Sequence, residues 1–431
     1  MNEMKNAPLV PITDVLSFIV DNRGKTVPTA ESGFPLIATN CVHNERLYPV
    51  FENIRYVSEY TLHNWFRAEL KANDILFVNK GTPGRCCLVP DPVSFCAAQD
   101  MIGLRCDEQK VYYRYLLMVL RSTTTQKFIS NYHVGIAIPH FKKEDLSKLL
   151  IPLPSMEYQK RIGDLYFDIC EKEEHNNSIC ADLEAMAKLL YDYWFVQFDF
   201  PDENGKPYKS SGGKMVWNEE LKREIPEGWE AGTFGDCIAS INTGLNPRDN
   251  FKLNTGGTIR YLTVKNLTKE GTVDFSSCDC IDEEARAIVH RRSDIRIGDI
   301  LFASIAPLGR CYVIKEDPKT WDINESVFSI RPNYKIATSN FLYMTFMSDS
   351  FVKKAEGSST GSVFKGIRIS ELQDLKTIIP KKAVLDKFDD VVEKLFAAKS
   401  NAFNENMDLA SLRDFLLPML MNGQVKVCNM E

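Results

Sequence analysis

GDILFASIAPLGRC, residues 298–311, restates a phrase met earlier in the chain, NDILFVNKGTPGRC at residues 73–86. Asp74, Ile75, Leu76, Phe77, Gly84, Arg85 and Cys86 recur as Asp299, Ile300, Leu301, Phe302, Gly309, Arg310 and Cys311, each 225 positions on. Apolar matches alone carry little weight, since many buried strands read that way. An aspartate, a glycine and an arginine held in register across a variable loop mark a duplicated unit.

The duplication extends in both directions. Upstream, PLIATNCV (35–42) is answered by RYLTVKNL (260–267), and both read as short apolar strands. Downstream, each copy predicts another strand (SFCAAQDMIGLRC, then INESVFSIRP) and one helix, over about 110–130 and 339–355, the second with Ser339 as N-cap. Each copy closes on a strand-like stretch and a proline, Pro154 and Pro380. After those prolines, residues recur at alternating steps of three and four, 226 positions apart in the two copies. The first stripe holds Ile162, Leu165, Ile169, Leu183, Met186 and Leu190, and the second Phe388, Val391, Leu395, Leu409, Leu412 and Leu416. Sustained heptads predict long helices that pair as a coiled coil. Lys172, Asn176 and Glu405 interrupt the stripes, and polar residues at such positions set register. Lys160, Arg161, Glu171, Glu173 and Glu174 read as an outer face, solvated or reserved for a partner.

Composition bounds the answer. The 431 residues, 44% hydrophobic and 26% charged, suit a globular chain of two or three domains. No apolar run approaches the roughly 20 residues of a membrane span, and no secretory leader opens the sequence, so a cytoplasmic location is expected. Twelve scattered cysteines without a C-x-x-C pair read as reduced, mostly buried thiols. The net charge of −6 is uneven: +2 over 1–153, −7 over 154–228, zero over 229–380 and −1 over 381–431. The acidity sits in one middle segment, which leaves the repeated units free to gather positive charge.

Signatures of catalysis are missing. There is no Walker-type phosphate loop, dinucleotide fingerprint, nucleophile elbow or H-E-x-x-H, and no Asp/Asn-Pro-Pro-aromatic tetrapeptide such as an amino-methyltransferase needs. The six histidines show no ligand spacing, and no metal site is expected. The chain reads as a binder. A self-contained DNA-modifying enzyme and a coiled-coil adaptor without DNA contact stand as alternatives.

At this point the layout resembles the specificity (S) subunit of Type I restriction–modification systems. The resemblance covers almost the whole chain and rests on IPLPSMEYQKRI (151–162), YDYWFVQFDFPDENGKP (191–207), IPEGWE (225–230) and LLPMLMNGQVKV (416–427), together with the twofold repeat. It implies an α/β (α+β) chain in which two similar target-recognition domains, 1–153 and 229–380, are separated by two long antiparallel helices forming a coiled coil, a pseudo-twofold repeat. The first long helix would occupy 154–197, a linker 198–228, the second helix 381–422 and a tail 423–431. The resemblance further implies that each domain reads half of a bipartite double-stranded DNA target. Two methyltransferase (M) subunits would dock on the chain and restriction (R) subunits could join. S-adenosylmethionine, ATP and Mg would sit on those partners, and this chain would hold no cofactor and be non-catalytic by itself. A helix of about 40 residues spans at most ~60 Å, which bounds the gap between half-sites at roughly 17 base pairs.

Base reading needs donors and acceptors in the major groove, and phosphate contacts favour Lys, Arg, Ser and Thr. The loops of the first unit offer Asn40, Asn44, Arg46, Asn79, Lys80, Thr82 and Arg85, and NYHVGIAIPHFKK (131–143) adds Tyr132, His133, His140 and Lys142. The second unit offers Lys265, Asn266, Lys269, Ser304 and Arg310, and EGSSTGSVFKGIR (356–368) adds Ser358, Ser359, Thr360, Ser362, Lys365 and Arg368. Arg85 and Arg310 read equally well as internal ion-pair partners of Asp74 and Asp299. Residues common to both units are scaffold candidates, so Lys80, Thr82, Lys365 and Arg368 rank above the matched arginines as specificity positions.

Overall fold

The structure, a computed structural model, describes residues 3–22, 25–132, 139–248, 250–358 and 366–425, the side chain of residue 358 excepted. Two compact units divide it, Met1–Ala181 with Ser400–Glu431, and Asp182–Lys399. Each takes one α/β lobe, the first part of the long helix after that lobe, and the last part of the other long helix.

In the first unit, strands Leu16–Asp21, Met101–Cys106, Ile75–Val78 and Cys86–Leu88 form an antiparallel sheet in that order. Strands Ile238–Thr243, Val327–Pro332, Ile300–Ala303 and Cys311–Val313 repeat the order in the second. The opening phrase supplies one of the two inner strands of each sheet. Ile75–Val78 and Ile300–Ala303 are buried at all four positions, so the run is continuously apolar rather than alternating. Each lobe adds a three-stranded sheet centred on Phe34–Ile37 or Ile259–Leu262. Strand pairing there ends earlier than the sequence suggests: 3-10 turns Thr39–Cys41 and Val264–Asn266 follow the strands in both copies.

The single helix expected in each lobe is two. Tyr113–Arg121 and Thr123–Tyr132 break at Ser122, and Ser339–Met347 and Asp349–Ser358 break at Ser348. Both serines have extended ψ. Their hydroxyls donate 2.7 Å bonds to the carbonyls of Val119 and Thr345, and accept from the amides of Thr125 and Phe351 at 3.3 Å. Such local bonding ends one helix and starts the next. The N-cap of Ser339–Met347 is Thr338, not Ser339: its hydroxyl accepts from the Phe341 amide at 3.3 Å.

Each lobe closes onto its long helix. Strand Leu9–Pro11 pairs with Leu150–Pro152, and Glu230–Thr233 with Lys376–Ile379, just before helices Met156–Tyr191 and Lys382–Met421 begin. Gly163 lies so near the Tyr115 backbone that a Cβ would come within 2.7 Å of its nitrogen. The matching residue in the second copy is Asp389, whose carboxylate accepts a 3.1 Å bond from Thr338. Burial pushes its pKa up from the usual 3.8 to about 6; Thr338, Asn340 and Lys382 oppose that rise and Glu393 adds to it. An acid with a raised folded pKa contributes stability that is full below its unfolded value and lost as pH rises through the folded value. Asp389→Asn is therefore expected to leave stability unchanged below about pH 4 and to raise it above pH 6 by about 1 kcal/mol, since solvent screens a carboxyl that is only partly buried. Urea denaturation across that pH range measures it, and a uniform loss at all pH values would show that the hydrogen bonds outweigh the charge.

The long helices pair antiparallel within each unit. In the first, Asn176 donates to Glu405 at 2.7 Å while Glu173 meets Arg413 at 2.8 Å. In the second, Lys399 donates to Glu184 at 2.8 Å while Phe388 packs 5.7 Å from Trp194. The three polar interruptions thus meet one another, with Lys172 also 3.3 Å from Glu405. Ile162, Ile169 and Phe388 are buried, and Leu165, Leu190, Leu395 and Leu416 are half-buried against the cores, as Leu183 and Leu409 are along the helices. Met186, Val391 and Leu412 are exposed at 54%, 42% and 44%, and Ala187, Val392 and Arg413 take the inward positions instead. A strict 3.5-residue stripe drifts against a 3.6-residue helix, and Val391–Val392 offers hydropathy no choice of phase. Glu173 and Glu174 are likewise not on a solvated face: Glu173 pairs with Arg413 and Glu174 with Arg46. Among the described residues no helix is long and apolar enough to cross a membrane, and eight of the eleven described cysteines are buried.

Candidate nucleic-acid interface

The loop between the two hairpin strands of the opening phrase, 79–85 or 304–310, is strapped from both sides. In the first lobe the amides of Asn79 and Lys80 donate to the Asp100 carbonyl at 3.1 and 3.3 Å. On the other side Gly81 donates to Pro139 at 2.9 Å, Phe141 donates to Asn79 at 2.8 Å, and Lys80 bridges His140. The second lobe repeats the device: Ser304 donates to the Ser326 carbonyl at 3.0 Å, Ile367 donates to Ser304 at 2.8 Å, and Ile305 bridges Gly366. Two candidate segments some sixty residues apart in sequence are thereby one surface in each lobe. Backbone strapping leaves residues 80–82 and 305–307 exposed at the loop tips.

At the other end of strands Ile75–Val78 and Ile300–Ala303, away from the loop, lies a clamp. Asp74, 1% exposed, accepts 2.8 Å bonds from Nε and Nη2 of Arg105 and one from the Lys71 amide. Asp299 accepts the same pair from Arg331, with the Arg296 amide at 2.9 Å and Ser329 at 3.1 Å. These bonds hold both guanidinium pKa values above the ordinary arginine range. The aspartates' partners are thus Arg105 and Arg331, and the ion-pair reading of Arg85 and Arg310 is corrected. Arg310 instead donates to the Leu267 carbonyl at 2.9 Å, and Arg85 is half-buried in the loop's exit.

Several other candidates are scaffold. Asn44 accepts from the Cys86 amide at 2.9 Å. Arg46 forms a bidentate pair with Glu174, a hydrogen bond that raises its pKa. Asn266 is fully buried, accepting from Thr263 and donating to Asp274 and Ser277. Ser304 is 6% exposed and donates to Ser326 at 2.7 Å. Short polar side chains cap buried turns as readily as they read bases, which is why sequence alone mixes the two groups.

The outward-facing set is smaller. Lys80, Thr82 and Lys142 are exposed on the first strapped surface, with His140 and Asn79 half-buried beside them. Lys80 lies 3.8 Å from Asp100. Tyr132 is 44% exposed and stacks on Phe128 at 4.3 Å. Asn40 is exposed at a neighbouring turn, donating to the Glu52 carbonyl. In the second lobe Arg368 is exposed beside the strap, and Lys265 and Lys269 are exposed near Asp279 and Glu270, at 3.6 and 3.7 Å. His133, Ser359, Thr360, Ser362 and Lys365 lie outside the described residues, as does the side chain of Ser358. Loop-centred reasoning passes over a further basic feature, Arg286, Arg291 and Arg292 on helix Glu283–Ser293, whose sequence signal is the run HRRSDIR at 290–296.

Comparison with known proteins gives concordant results. The family profile for the Type I restriction modification DNA specificity domain matches residues 9–185 and again 226–401. The chain is similar to the Type I restriction enzyme MjaIX specificity subunit of Methanocaldococcus jannaschii, 27% identical over 336 residues that cover 74% of this chain and 70% of that one. It is also similar to the HindI specificity subunit of Haemophilus influenzae, 22% identical over 367 residues, 73% of this chain and 77% of that one. In fold it is like the S subunit of a Type I restriction-modification system from M. genitalium, with a TM-score of 0.58 at 15% identity over 99% of this chain and 98% of that one.

Proposed function

The chain belongs to the family of Type I restriction–modification DNA specificity proteins, and from that premise we propose that each lobe, 1–153 and 229–380, reads one half of an interrupted double-stranded DNA target. The observation that carries this reading is the strapped hairpin loop, present in both lobes on a sheet with the same Asp–Arg clamp yet carrying different side chains. A shared scaffold with divergent projections suits two readers of two different half-sites. The paired long helices set the distance between half-sites and offer docking faces to two methyltransferase subunits. Modification and cleavage chemistry, with S-adenosylmethionine, ATP and Mg, resides on those methyltransferase subunits and on restriction subunits, and this chain is non-catalytic by itself. The assembly works in the cytoplasm, where the DNA is.

Lys80→Ala with Thr82→Ala tests the assignment. In a host carrying this chain and its methyltransferase, methylome sequencing is expected to show one half-site relaxed at one or two positions, each worth about 1–3 kcal/mol of discrimination, with the other half unchanged. Arg368→Ala is expected to relax the opposite half. A methylated motif identical to that of the unaltered chain in both cases would refute the assignment of these loops.

A further inference from the structure

Helix Glu283–Ser293 distributes its charge unevenly. Glu283 and Glu284 occupy its first turn and His290, Arg291 and Arg292 its last, while Ala285, Val289 and Ser293 are buried. Arg286, His290, Arg291 and Arg292, with Arg296, line an open concavity of about 730 Å³ in which Asp294 is the one carboxylate lining residue among those described. That carboxylate is already engaged, by Arg296 at 2.9 Å and Arg331 at 3.1 Å. His290 is turned to the buried Asp322 at 3.0 Å. Among the described residues Arg286, Arg291 and Arg292 have no carboxylate within 4 Å, which leaves the concavity strongly positive.

Helix-dipole complementarity explains cations in the last turn. It does not explain Arg286, one turn earlier on the same face, nor the way two of these side chains are held. Arg286 donates to the Pro318 carbonyl at 3.0 Å and keeps a buried Nε without a partner among the described residues. Arg292 donates through Nε to the Thr243 hydroxyl at 3.2 Å. Guanidinium groups fixed in this way are pre-organised for an anion with planar or paired oxygens. The first lobe keeps only part of this: Arg67 and Lys71 stand where Arg292 and Arg296 do, but its helix Glu59–Asn64 is six residues long, and Thr61, Trp65 and Phe66 stand where Arg286, His290 and Arg291 do in the repeat.

The patch adjoins the reading surface of its own lobe. Gly244, beside Thr243, donates to the Asn324 carbonyl at 3.2 Å, and two residues on the Ser326 carbonyl accepts from Ser304. One short turn therefore braces both the arginine-bearing face and the strapped loop. We propose that the arginine face of helix Glu283–Ser293 holds the sugar–phosphate backbone of the duplex read by the second lobe, a sequence-independent grip that the matching stretch of the first lobe keeps only in part. This rests on the DNA-reading function proposed above.

The test uses the full chain with its methyltransferase and a labelled random-sequence duplex of about 40 base pairs, titrated over a range of KCl concentrations. Arg291→Ala with Arg292→Ala is expected to lower the slope of log affinity against log salt by about 2, one for each lost phosphate contact, and to weaken binding roughly tenfold or more while the methylated motif stays the same. Arg291→Lys with Arg292→Lys is expected to keep most of the slope. A variant that melts like the unaltered chain and keeps its full slope would overturn the proposal. So would loss of methyltransferase association with an intact slope, which assigns the patch to an acidic protein surface. Absence of salt-dependent binding by the unaltered complex would instead sink the DNA-reading function itself.

Discussion

Arg331→Met is expected to lower unfolding free energy by about 3–5 kcal/mol, the range for removing one partner of a buried ion pair. Asp299 is 1% exposed and sits just before strand Ile300–Ala303, at the end away from the strapped loop. Without the guanidinium it keeps only the Arg296 amide at 2.9 Å and the Ser329 hydroxyl at 3.1 Å. The variant also releases Asp294, whose carbonyl and carboxylate both accept from Arg331. Arg105→Met in the first lobe is expected to cost at least as much, because Gly103 stands where Ser329 does and Asp74 retains a single amide donor. Urea denaturation followed by circular dichroism measures both. A loss under about 1 kcal/mol in either variant would place the clamp with exposed ion pairs and remove its claim to hold the lobe's sheet together.

That clamp also shows where sequence reading reached and where it stopped. The repeated Asp, Gly and Arg of the opening phrase identified the duplication, and the buried inner strands confirm its apolar core. The carboxylate's partner nevertheless arrives 31 or 32 residues later, from a strand that pairs beside it only once the sheet has formed. Nothing in local spacing separates Arg105 from Arg85. The same reason hid the strapping of each loop by a segment about sixty residues away, a contact made by backbone amides that carry no side-chain signature. Asn266 and Ser304 were indistinguishable from readers because a turn cap and a base contact call on the same short polar groups. Along the helices the period was legible and the phase was not, since adjacent valines at 391 and 392 satisfy either choice and a buried arginine at 413 defies hydropathy.

The buried Arg413 leads to a second large effect, confined to the first unit. Arg413 and Glu173 are both under 10% exposed and share bonds of 2.8 and 3.0 Å. Burial raises the Glu173 pKa, and Arg413 opposes that rise. Arg413→Leu is expected to cost about 3–5 kcal/mol near neutral pH by stranding the carboxylate. The deficit should shrink toward acid pH: a carboxyl with a raised folded pKa is stabilised when neutral, and that stability is lost as pH rises through the folded value. Glu173→Leu with Arg413→Leu removes both charges and is expected to match or exceed the unaltered chain by about 1–4 kcal/mol. Register should survive in the double variant, because Asn176 still donates to Glu405 and Asn406 to Asn177 at 3.0 Å. If the double variant instead loses as much stability as the single one, the pair is specifying the helix alignment, and the polar layer of Asn176 and Asn406 is insufficient to hold it.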